Sequence, residues 1–60
     1  MFTLTFKTDN AAFEGHLVFA ETARILRELA IMVENGQRSH GTVRDLNGNN
    51  VGEWDFDHGA

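Results

Sequence analysis

Leu17 to Asn35 is the one segment of this chain whose apolar residues recur at helical spacing, and that restricts the fold more than any other feature. At about 100° per residue, Val18, Phe19, Thr22, Ala23, Ile25, Leu26, Leu29, Ala30, Met32 and Val33 fill one half of the circumference. Glu21, Arg24, Arg27, Glu28 and Glu34 fill the other half. Gly36 is a natural left-handed cap, so the spacing predicts a helix that stops at Asn35. No Ser, Thr, Asp or Asn stands just before Leu17 to cap its start. A lone helix cannot bury its own apolar half, so the flanking segments must supply a second layer.

Both flanks read as strands. Phe2, Leu4 and Phe6 alternate with Thr3, Thr5 and Lys7, the pattern of a half-buried pleat. Asp9-Asn10 ends that strand with turn chemistry, and Ala11 to His16 connects it to the helix. After the helix, Gly41 and Val43 share one face and Arg38, His40, Thr42 and Arg44 the other. Asn47-Gly48-Asn49-Asn50 then marks a hairpin turn. On the returning arm Trp54 and Phe56 share one face, opposite Val51, Glu53, Asp55 and Asp57. The expected register sets Leu46 against Val51, Val43 against Trp54 and Gly41 against Phe56. Its outward pairs are Arg44 with Glu53, Thr42 with Asp55 and His40 with Asp57; a slip of two residues would keep the same faces. The expected fold is α+β: residues 1–60 as a single β-α-β-β domain, with one helix on one face of a three-stranded antiparallel sheet. A sheet with one wet face favours the last strand in the middle.

Composition excludes several function classes. The chain has sixty residues, nine acidic against five basic, and a net charge of −4. An acidic balance argues against a nucleic-acid partner, which would need a basic surface. There is no cysteine, hence no disulfide, thiolate zinc site or cysteine nucleophile. The first residues lack the basic start and apolar block of a signal peptide, and Glu21, Arg24, Arg27 and Glu28 interrupt the most apolar stretch. The expected setting is therefore the cytoplasm, away from membranes.

Three stretches together resemble small proteins of phages and prophages: Thr8-Asp9-Asn10-Ala11-Ala12-Phe13, Ala23-Arg24-Ile25-Leu26-Arg27-Glu28-Leu29-Ala30, and Arg44-Asp45-Leu46-Asn47-Gly48-Asn49-Asn50-Val51-Gly52-Glu53-Trp54. The likeness spans nearly the whole chain and its motifs are structural. It departs at Gly15-His16-Leu17, where an acidic or proline-bearing helix start is usual. What the resemblance implies is a mobile-element protein, in the host cytoplasm, that acts by occupying a host protein. An inhibitor of host defence such as an anti-CRISPR fits that description. The alternative is a structural or homo-oligomeric accessory module of the phage.

Catalytic chemistry finds no foothold in the residue pattern. Asp45 to Glu53 mimics a calcium loop only superficially, because the EF-hand's glycine and bidentate glutamate positions hold Asn50 and Phe56. His16, His40 and His58 share no ligand spacing, and Ser39 is the sole serine. No enzyme activity, metal or cofactor is expected. Binding residues are better candidates. Residues 1 to 44 balance in charge, so the whole −4 comes from Asp45, Glu53, Asp55 and Asp57. Glu53, Asp55 and Asp57 form an acidic strand able to steer a basic partner. Ile31 sits nearly opposite the apolar arc, and Ala20, Arg24, Arg27 and Ile31 form an apolar anchor ringed by arginines. The apolar arc is also wider than a small sheet covers, so Ile25 and Met32 at one margin are candidates for a subunit interface in a homodimer.

Overall fold

A computed structural model describes residues 1–56. The order is β1 (Phe2–Phe6), a 3-10 turn (Ala11–Phe13), α1 (Leu17–Asn35), β2 (His40–Arg44) and β3 (Asn50–Phe56). The strands form one antiparallel sheet in the order β1-β3-β2, with α1 on one face. This is the expected α+β arrangement, with the last strand central. The helix has the predicted bounds, ending at Gly36 with φ of 68° and starting at His16 without a side-chain cap.

The core lies between helix and sheet and is small. Its buried apolar residues, among those described, are Ala12, Phe13, Ile25, Leu29, Val43 and Trp54. Leu4, Phe6, Val18, Val33, Val51 and Phe56 pack around them. Phe13 folds back from the connection, its ring centroid 6.4 Å from that of Phe6. Trp54, 1% exposed, is the centrepiece. Phe2 and Phe56 pack beside it with their rings tilted by 53° and centroids 4.8 Å apart.

The hairpin register is two residues away from the expected one. Val43 pairs with Gly52, Gly41 with Trp54, Thr42 with Glu53 and His40 with Asp55, and a bulge then sets Arg44 opposite Asn50. Two glycines explain the choice. A Cβ on Gly41 would lie 2.7 Å from the indole Nε1 of Trp54, so that ring needs bare backbone across from it. A Cβ on Gly52 would lie 2.0 Å from the Thr5 carbonyl oxygen and 2.5 Å from Phe6, so the central strand needs glycine where β1 crowds it. The bulge also reverses the face of Val51, which packs on the core instead of pointing outward beside Glu53. His40 therefore faces Asp55, and its expected partner Asp57 lies outside the described residues.

Candidate partner-binding faces

A buried polar clasp fixes the helix relative to the hairpin turn. Glu21, expected on the solvent side, is buried near the start of α1. Its carboxylate accepts two hydrogen bonds from Arg24, each 2.7 Å, and a third of 2.7 Å from the Leu46 amide. Arg24 also pairs with Glu28 and donates to the Arg44 carbonyl at 3.2 Å. In the adjacent turn the buried Asp45 carboxylate accepts from the amides of Asn47 and Asn49, both at 2.9 Å. It accepts as well from the side chains of Asn10 at 2.8 Å and Asn49 at 3.2 Å. Asn10 in turn caps the 3-10 turn through the Ala12 amide. Three elements are thus tied at one corner.

The electrostatics follow from these partners. Hydrogen bonding from Arg24 outweighs burial and holds the Glu21 carboxyl below its ordinary value. Burial pushes Asp45 up, but the combined hydrogen bonds from Asn49, Asn10 and Asn47 prevail and lower it. The Arg24 guanidinium is held protonated more firmly than usual, chiefly by Glu21. Both carboxylates are spent on structure, which removes Asp45 from the exposed acidic stripe.

Around the helix the candidate residues separate. Ala20, Arg27 and Ile31 lie on one exposed face, with Ile31 61% accessible. Arg24, expected among them, is drawn sideways into the clasp. Ile25 is corrected outright: at 4% exposure it belongs to the chain's own core and offers nothing to a second subunit. Met32 is exposed and lines a groove of about 240 Å³ between α1 and β2, with Ile25, Leu29 and Val43 behind it and Arg24, Glu28 and Arg44 at the rim. That groove shows which helix flank overhangs β2. The opposite flank, on the β1 side, carries exposed side chains the apolar arc had assigned to the core: Phe19 at 78% and Leu26 at 46%. Their spacing with Ala23 and Ala30, in steps of four, three and four, was the available signal.

The open face of the sheet presents Thr3, Thr5, His40, Thr42, Glu53 and Asp55, all exposed. Glu53 and Asp55 share this face across from Thr42 and His40. Among the described residues no three His, Asp or Glu side chains are grouped to hold a metal ion, and no helix is long and apolar enough to cross a membrane. No protein-family model, curated protein or solved structure matches the chain.

Proposed function

We propose that this chain is a non-enzymatic binding protein that acts by docking onto a host protein through the Ala20, Arg27 and Ile31 face of α1. The observation that carries this reading is Ile31, a large apolar side chain left 61% exposed beside an arginine, on a face that the chain's own sheet does not use. Arginine is enriched among the residues that carry binding energy at protein interfaces, and an apolar anchor beside it is a usual centre for such a contact. The resemblance to small phage proteins is what supports a host protein as the partner, with a component of host defence such as a CRISPR effector as the leading target class. Glu53 and Asp55 offer a second, acidic surface for a basic partner on the opposite side of the molecule.

Phage plaquing on a CRISPR-immune host tests this directly. Expression of the wild-type chain should raise plaquing on that host, and Ile31→Asp should return it to the immune baseline while leaving the far-UV circular dichroism unchanged. Plaquing that stays at the baseline with the wild-type chain removes the inhibitor reading. A second reading, a homo-oligomeric accessory module, is favoured by the exposed Phe19 and Leu26, which lie on a different flank.

A further inference from the structure

We propose that two copies of this chain pair through the Phe19, Ala23, Leu26 and Ala30 flank of α1, with the helices antiparallel about a two-fold axis. The proposal does not rest on the host-protein reading, because its exposed anchors, Phe19 and Leu26, are not residues of the Ile31 face. The four residues recur in steps of four, three and four, the spacing of successive d and a positions in a coiled-coil seam. Two are large and exposed and two are small. Antiparallel pairing centred between Ala23 and Leu26 sets Phe19 against the partner's Ala30 and Leu26 against the partner's Ala23. Each bulky side chain then meets a small one, and the symmetry repeats the fit. Parallel pairing would instead set Phe19 against its own copy and leave the alanines facing each other.

Polar residues at the two helix ends agree with that register. The helix has no acidic residue in its first turn and no basic residue in its last, the reverse of what its dipole favours. His16 occupies the N-cap without making a capping hydrogen bond, and Glu34 puts a carboxylate in the last turn, at the negative end of the helix dipole. Both choices weaken an isolated helix. On an ideal wheel of 100° per residue both fall at the same angle, on the solvent side of the stripe. In an antiparallel pair residues on the same flank face each other, and the register above brings His16 opposite the partner's Glu34 at each end. The imidazole N–H can donate to the carboxylate there. Arg27 falls opposite the partner's Ala23, so no like charges meet. β1 is the sheet edge on this side of the molecule, and the same two-fold turns its open edge toward the partner's β1.

Sedimentation equilibrium on the full chain tests the proposal. The wild type should show a mass twice its 6.7 kDa. Leu26→Glu should be monomeric with its far-UV circular dichroism preserved. His16→Glu and Glu34→Lys should each weaken association by roughly tenfold, since each acts twice in the symmetric pair. Both single changes improve the match to the helix dipole, so loss of helix cannot account for the weakening. The double variant His16→Glu/Glu34→Lys should recover association by swapping the pair. A wild-type mass that stays at that of the monomer at millimolar concentration overturns the proposal. So does a Leu26→Glu variant that still dimerises, or a double variant no tighter than the single ones.

Discussion

Trp54 shows how far single residues decide this structure. Its indole is fully enclosed, yet Nε1 has no hydrogen-bond partner. Burying a donor unmade costs about 1–3 kcal/mol, while removing the whole side chain from a core costs about 3–5 kcal/mol. Trp54→Phe should therefore lose only a small part of what Trp54→Ala loses, because the smaller ring abolishes the orphan donor as it opens a cavity. Urea unfolding followed by far-UV circular dichroism measures both. Gly52→Ala should be more damaging than Gly48→Ala, since its methyl group would collide with the backbone of β1, while at Gly48 the methyl group has open space and meets only the strain of a φ of 84°. Thermal melts of the two variants rank them. Trp54 as an inward residue was legible from strand alternation. Glu21 as a buried residue was not, because its burial depends on Arg24 and on the Leu46 amide, a partner distant in sequence.

At the level of elements, the C-terminal boundary of α1 was readable because Gly36 offers the left-handed conformation that ends a helix at little strain, whereas its start at His16 carries no side-chain cap to mark it. Gly36→Ala forces a Cβ into that conformation and should cost about 1–2 kcal/mol, seen as a lower urea midpoint at unchanged slope. The hairpin was readable as a hairpin, but its register was not. A two-residue slip leaves every side chain on its own face, so alternation cannot tell the two registers apart. What separates them is close packing at Gly41 and Gly52 and the carboxylate of Asp45 bridging the turn amides. The helix surface was half legible for a related reason. An apolar arc spanning half the circumference shows that a helix faces something, but it does not say which margin the sheet covers. The sheet covers Ile25 and leaves Phe19 and Leu26 bare.

For the whole molecule, the small core makes the corner formed by Glu21 and Asp45 decisive. A chain of this length buries only about 60% of the surface its unfolded form exposes, so stability is marginal and individual ties matter. The clasp joins the helix, the 3-10 turn and the hairpin turn through carboxylates that are bonded as anions. Both carboxyls titrate below their ordinary values of 4.5 for Glu21 and 3.8 for Asp45 in the folded chain. The unfolded chain therefore takes up protons first as pH falls, and folding loses free energy with acid. Stability should be level from neutral pH down to about 5, then decline through the ordinary carboxylate range and keep declining until the folded groups protonate. The single tryptophan reports this, since its emission should shift to the red as the core opens. Glu21→Gln/Asp45→Asn removes both titrations: it should be less stable than the wild type at neutral pH, because neutral amides hold Arg24 and the turn amides less well, and its acid decline should be shallower. An equal acid slope in the variant and the wild type would show that this corner is not the source of the acid sensitivity.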